Sequence, residues 1–384
     1  MISWSRHLSV LLIFLVVMVL HGWMWYTLVA KKGARCSRAW RAGVTLLAIG
    51  LVALVAGGLS LGFARVLAVL PPGRWIAWTR ASALGWALFS VGLSVAVWLW
   101  QRAPGFDPTR RRMLQAMGGV AAAAPVLAGG LGVFIARSRI AGRTVDLKIQ
   151  GLPPDLDGLR MAQLSDIHMG AFLSERELIH AVGIANEFKP HLALVTGDFV
   201  SERGDPLDLC LEHLSKLRAS DGIFGCLGNH EGYLRAGAYT EDQGRRLGID
   251  ILRSKLRWRR FGKVRMYIAG IDYQRMGGPY MRDTGVLTSE GNFNMLLSHN
   301  PDVFPVAVSR GHQLVISGHT HGGQLNFELL GQPFNIARFY TPYIYGTYGQ
   351  GAAVLYVSRG IGTVVIPMRI GAPPEVSLIR LCAT

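Results

Sequence analysis

The stretch Gln163-Leu164-Ser165-Asp166-Ile167-His168-Met169-Gly170 decides how the rest of the chain is read. The apolar run Leu159 to Leu164 reads as a buried strand, and Asp166 and His168 stand two residues apart where it stops. In extended backbone, residues i and i+2 share a face. A carboxylate and an imidazole so placed make half of a divalent-metal site. Asp-x-His alone is frequent by chance; the later strand ends give it weight. Leu192 to Val195 runs into Thr196-Gly197-Asp198, and Ile223 to Leu227 into Gly228-Asn229-His230-Glu231. Phe293 to Leu297 runs into Ser298-His299-Asn300-Pro301, and Leu314 to Ser317 into Gly318-His319-Thr320-His321-Gly322-Gly323. Ligands gather at the carboxyl ends of strands in layered α/β folds. Gly197, Gly228 and Gly318 let the backbone turn sharply and approach a bound group.

Between these ends the pattern is helical. Ser174 with Glu177 three residues on is a capping-box signature opening a helix to about Phe188, and a second helix covers roughly Leu207 to Leu217. Val145 to Ile149 precedes the ligand-bearing strands, and Val354 to Val357 and Glu375 to Leu381 close the series.

Half of the 384 residues are hydrophobic and only 17% are charged, which points to a membrane-embedded portion. The net charge of +16 is unevenly spread. Residues 1–150 hold 17 Lys/Arg against two acids, Asp107 and Asp146, whereas residues 151–384 are nearly balanced at 23 against 22. A nucleic-acid binder carries its excess on the soluble domain. Here the excess lies between apolar segments, so no nucleic-acid partner is expected. The four cysteines show neither CxxC pairs nor zinc spacing. Cys210 and Cys226 read as buried free thiols in preference to a disulfide.

Four apolar segments are expected to span a bilayer, a length of about 20 residues each. They are Leu8 to Ala30, Gly43 to Val69, Trp75 to Trp100, and a Gly/Ala-rich run from Arg110-Arg111-Arg112 to about Ala136. The last reads as an ordinary helix with a basic flank, in preference to an internal twin-arginine signal. The loops 31–41 and 101–112 carry five and four positive charges and fall on one side if all four segments span. The positive-inside bias makes that side cytoplasmic and the following domain extracytoplasmic; Arg137, Arg139, Arg143 and Lys148 argue the other way.

Taken together, Asp-x-His, Gly-Asp, Gly-Asn-His-Glu, a lone His and Gly-His-x-His resemble the calcineurin-like metallophosphoesterase family, specifically its bacterial members with a membrane-spanning N-terminal region. The resemblance covers Asp146 onward. It implies an α/β domain of two mixed sheets sandwiched between helices, over 141–384, behind a transmembrane helical region, 1–140. It further implies hydrolysis of a phosphate mono- or diester by two divalent ions about 3.5–4 Å apart that share the attacking hydroxide. By the same resemblance Asp198 bridges the ions and acts in catalysis, Asp166, His168 and His321 complete one metal, and Asn229, His299 and His319 complete the other. His230 contacts the phosphate and assists the leaving group, by proton donation. Glu231 either orients a neighbour or caps a turn. The mixed N/O ligand set suits Mn, Fe or Zn. Anchoring favours a lipid or cell-envelope phosphate as substrate. The alternative is a non-catalytic metal- or phosphate-binding sensor coupled to the helices.

Two further stretches are open. Arg253, Lys255, Arg257 and Arg259 fall at period two, before a turn at Phe261-Gly262. They form either a head-group contact or, preferably, a charge-blunted edge strand. Tyr340, Tyr343, Tyr345 and Tyr348 either line a substrate cleft or pack on the core.

Overall fold

The computed structural model describes residues 3–30, 37–66, 73–102, 136–329 and 332–384. The chain forms two compact units, Met1–Leu131 and Gly132–Thr384.

The first unit contains helix α1 (Ser3–Trp25), continued by a π-helical turn, with α2 (Arg38–Val66) and α3 (Arg74–Arg102). Val17, Val55 and Ala87 meet in its buried centre, with Phe14 and Trp86 against them. The Trp86 indole N–H donates to His21 Nε2 at 2.8 Å, and His21 Nδ1 lies 2.8 Å from the Val17 carbonyl, which accepts its proton. Both ring nitrogens of this buried histidine are thereby used, tying α1 to α3.

Among the described residues one helical stretch, Arg38–Gly58, is long and apolar enough to cross a membrane. That corrects the expectation of about four such helices. The apolar stretch described in α1, Phe14–Trp25, is shorter than a bilayer span. In α3 the apolar run is diluted by Thr79, Arg80, Ser82, Ser90 and Ser94. The fourth expected segment, from Arg110, lies outside the described residues, as do Cys36 and most of both basic loops.

The second unit is built on strands β1 (Ala141–Ile149), β2 (Arg160–Leu164), β3 (Leu192–Thr196), β4 (Ile223–Cys226), β5 (Ile249–Ile251), β6 (Lys255–Phe261) and β7 (Val264–Gly270). They are followed by β8 (Phe293–Leu297), β9 (Leu314–Ser317), the hairpin β10 (Asn326–Leu329) and β11 (Gln332–Asn335), β12 (Gly346–Gln350), β13 (Ala353–Val357) and β14 (Glu375–Ala383). One six-stranded sheet has the order β1-β14-β2-β3-β4-β5 and the other β12-β13-β9-β8-β7-β6. Both are mixed: β2 to β5 and β7 to β9 run parallel, with antiparallel neighbours at β14, β6 and β12.

Side-chain alternation explains the layering. In β3, Leu192 and Leu194 point into the core between the sheets, while Ala193 and Val195 face the layer of helices α4 (Glu175–Glu187) and α5 (Leu207–Leu214). On the facing sheet, Phe293, Met295, Leu297, Leu314 and Ile316 point inward, and Leu296 and Val315 outward. A strand buried on both faces reads as a continuous apolar run. The predicted capping box opens α4: Ser174 Oγ accepts from the Glu177 amide and Glu177 Oε2 accepts from the Ser174 amide at 2.7 Å.

β6 is an edge strand whose basic side chains are engaged. Lys255 pairs with Glu241, Arg257 Nε donates to Asp250 at 2.7 Å, and Arg259 Nε donates to the Asp221 carbonyl at 2.7 Å. The charge-blunted reading therefore describes it. Tyr343 and Tyr348 pack against the core, Tyr345 lies under the Arg359 guanidinium, and Tyr340 is exposed. Cys210 and Cys226 are buried free thiols.

Leu194 is fully buried in the inter-sheet core. Leu194→Ala should cost about 2–5 kcal/mol. A lowered urea midpoint of the detergent-solubilised chain, at unchanged slope, is the expected result.

Candidate metal centre

The carboxyl ends of β2, β3 and β4 in one sheet and of β8 and β9 in the other carry Asp166, His168, Asp198, Asn229, His230, His299, His319 and His321. The structure brings the Asp and His ligand atoms among them into three overlapping groups: Asp166, His168 and His321; His168, Asp198 and His230; and Asp198, His299 and His319. Within each group the atoms lie inside 4.8 Å of one another. Asp198 belongs to two of the groups, and its Oδ2 is 3.1 Å from His299 Nε2 and 3.5 Å from His168 Nε2.

The backbone reaches this arrangement by a route that the sequence pattern did not anticipate. Asp166 and His168 do not share a face by strand alternation, for their φ angles are 51° and 49°. Asp198, His319 and His321 are also left-handed, at 54°, 75° and 53°. Such values are uncommon for non-glycine residues and occur where surrounding structure over-determines them. Here the loops are laced to each other: the Asp166 amide donates to the Gly197 carbonyl at 3.1 Å, His168 to Asp198 at 2.9 Å, and Gly362 to Asp166 at 2.8 Å. Two glycines leave room for the carboxylates. A Cβ on Gly228 would sit 2.1 Å from Asp198 Oδ1, and one on Gly318 2.3 Å from Asp166 Oδ2.

The donor chemistry fits divalent ions. His299 Nδ1 faces the Thr196 carbonyl at 2.6 Å and must carry a proton there. Its Nε2 then presents a lone pair to Asp198 Oδ2 at 3.1 Å and has no hydrogen-bond partner. Two lone pairs so close repel unless a cation, a proton or a metal ion, lies between them. His168 Nε2 and His321 Nε2 face each other at 3.1 Å, and the buried Asn229 Oδ1 is likewise unpartnered. Without metal, a proton serves at His299. Burial alone would lower its pKa, but the Asp198 and Asp166 carboxylates outweigh this and raise it to about 10. Burial would raise Asp198; its histidine neighbours, His299 first, hold it well below the usual carboxylate range. Burial keeps His168, His319 and His321 below the ordinary histidine value, neutral as ligands must be.

His230 stands apart in orientation. Its Nδ1 lies 2.7 Å from the Ser201 carbonyl, which takes the ring proton and leaves Nε2 turned to the centre.

Two further residues, Glu231 from the Gly-Asn-His-Glu block and Arg369, support the centre. Glu231 is fully buried; Oε2 accepts from the Gly228 and Asp198 amides at 2.8 and 3.0 Å, and Oε1 from the Phe199 amide at 2.9 Å. Both roles weighed for it are present: it caps the turn at Gly228 and supports Asp198, joining the β3 and β4 loops. Burial and then the Asp198 charge raise its pKa to about 7. Arg369 is fully buried and donates to the carbonyls of His321 at 3.0 Å, Arg359 at 2.8 Å and Ala372 at 3.2 Å. A lone arginine in an apolar tail gives no pattern by which to find it.

A sequence model of the calcineurin-like phosphoesterase family matches residues 159–323, which hold all of these ligands. An Aquifex aeolicus metallophosphoesterase is 30% identical over 233 residues, spanning 58% of this chain and 85% of that protein. The chain belongs to the calcineurin-like phosphoesterase family. The Bacillus subtilis metallophosphoesterase YkuE is 28% identical over 295 residues, 72% of this chain and 98% of that one. A zebrafish (Danio rerio) protein named as a transmembrane protein with metallophosphoesterase domain is 30% identical over 252 residues, 62% of this chain and 56% of its own length. Family membership makes this protein a metal-dependent phosphoesterase, a hydrolase.

Glu231→Ala would leave three buried amides without an acceptor. The expected cost is on the order of 3 kcal/mol or more. Urea unfolding should show it, with bound metal, measured by plasma mass spectrometry, falling in parallel.

Proposed function

We propose that this chain is a membrane-anchored phosphoesterase that uses two divalent ions to hydrolyse a phosphate mono- or diester of a lipid or of the cell envelope. The observation that carries the reading is the position of Asp198, the one carboxylate that two of the three ligand groups share. A single carboxylate common to two groups is the arrangement a pair of ions needs. Asp166, His168 and His321 would hold one ion and Asn229, His299 and His319 the other, with Asp198 between them. The donor set, nitrogen and oxygen without thiolate, favours Mn, Fe or Zn. When bound, such ions polarise the phosphoryl group and provide a nucleophile from water at neutral pH.

The chain's own residues supply the rest. Glu231 and the interlocked backbone fix the Asp198 carboxylate. The Ser201 carbonyl fixes the His230 tautomer, so that Nε2 meets the ester oxygen of the leaving group. In its protonated form His230 donates to the departing alkoxide, a step worth about 10²–10⁴-fold in rate. Arg369 holds the loop bearing His321 by its carbonyls.

Anchoring rests on the apolar helix Arg38–Gly58 and on relatives named as transmembrane proteins. The basic loops 31–41 and 101–112 support an extracytoplasmic catalytic unit, and Arg137, Arg139, Arg143 and Lys148 oppose it. Confinement at a bilayer is what favours a lipid or envelope phosphate.

The test is hydrolysis of an aryl phosphodiester and an aryl monoester by the full chain in detergent. Metal-stripped protein should be inactive and regain turnover with Mn, Fe or Zn. Asp198→Asn and His230→Ala should each lose at least about 100-fold. Activity that survives chelation, or survives either substitution, overturns the reading.

A further inference from the structure

Five strand ends supply the residues discussed so far; a sixth reaches the same edge. β7 runs parallel to β8, and its apolar run ends in Ile271-Asp272-Tyr273. The Tyr273 ring lies 5.3 Å from the His319 ring and 6.1 Å from the His299 ring, centroid to centroid. Its hydroxyl oxygen is 3.5 Å from His319 Nε2.

The surrounding hydrogen bonds hold the tyrosine from both sides. Before it, Arg253 Nε and an Arg253 amino group donate to the two Asp272 carboxylate oxygens at 2.9 and 2.8 Å. After it, Asn300 Nδ2 donates to the Gln274 carbonyl at 2.7 Å, and Gln274 Oε1 accepts from the Met281 amide at 2.8 Å. Asn300 adjoins His299, so the tyrosine is indexed directly to a ligand-bearing loop.

The phenol's position gives its direction: its hydroxyl lies at the centre, beside His319 Nε2. A hydroxyl has one proton to give, and there it needs an acceptor. His319 Nε2 is not that acceptor. The 3.5 Å separation exceeds a firm hydrogen bond, and a nitrogen reserved for a metal has no lone pair to spare. An oxygen beside the two, not between them, can take the phenol's proton while lying next to the ring nitrogen.

We propose that Tyr273 is a further catalytic residue, whose hydroxyl donates a hydrogen bond to a non-bridging phosphoryl oxygen of the substrate. This rests on the phosphoesterase reading above. Charge spreads over those oxygens in the transition state of phosphoryl transfer, so a fixed donor aimed there stabilises the transition state more than the ground state. No proton is transferred: the O–H bond stays intact, and the phosphorus-to-leaving-group bond breaks as the bond from water oxygen forms.

Tyr273→Phe keeps the ring against His299 and His319 and removes only the donor. In the full chain loaded with its most effective metal, kcat should fall about 10- to 100-fold while KM for the aryl ester changes little. Orthovanadate, which adopts the trigonal-bipyramidal shape of the transition state, should inhibit the variant more weakly by a similar factor. Metal content should stay at the wild-type value. Turnover within twofold of wild type, or unchanged vanadate inhibition, overturns the proposal. A loss of bound metal matching the loss of rate also overturns it, by making Tyr273 a support for His319. Wild-type protein inactive on both esters with every metal would instead remove the phosphoesterase reading itself, and this proposal with it.

Discussion

Most of the centre depends on left-handed backbone at the ends of strands. Asp166, His168, Asp198, His319 and His321 each occupy a conformation that costs a non-glycine residue about 1–2 kcal/mol. No local preference of Asp or His repays so many such residues in one place. The sandwich does, because its buried strands are rigid up to their last residue and the loops beyond them bond to one another. The strain is the means by which side chains from three of the five strand ends, those of β2, β3 and β9, turn into one small volume.

That constraint also explains what was legible in the sequence. Apolar runs that stop abruptly at Asp, Asn or His mark β2, β3, β4, β8 and β9 within a residue or so, because strands buried on both faces tolerate only apolar side chains. The Ser174–Glu177 box was equally plain, being wholly local. The conformation after each strand was not legible. Two residues apart suggested a shared face for Asp166 and His168, whereas the structure reaches convergence through positive φ at both. Residues that act over long sequence distance were hidden as well. Arg369 serves a loop 48 residues earlier, and nothing around it repeats or alternates. Tyr273 was missed for a different reason: its strand end carries a phenol in place of a metal ligand, so the rule that found the others was not applied to it.

The N-terminal part shows the limit of hydropathy as a guide. Composition and charge asymmetry drew attention to the first 150 residues, and helices are present at three of the expected segments. Helix formation and suitability for a bilayer are separate properties, however. Thr, Ser and Arg within α3 leave its helical geometry intact while making lipid a poorer environment for it. His21 and Trp86 satisfy each other inside this unit, a use of polar side chains that only the paired helices reveal.

The place of β14 has a consequence for how the catalytic unit comes into being. It is the last strand in sequence, yet in its sheet it lies between β1 and β2, parallel to one and antiparallel to the other. During synthesis all of the ligand-bearing loops, through His321, emerge before it. Until it arrives β2 has an open edge, and the loop carrying Asp166 is attached to an unfinished sheet. Non-local strand pairing of this kind is slow to form. The side chains that would hold metal are therefore all synthesised before the sheet that positions the Asp166 loop can close.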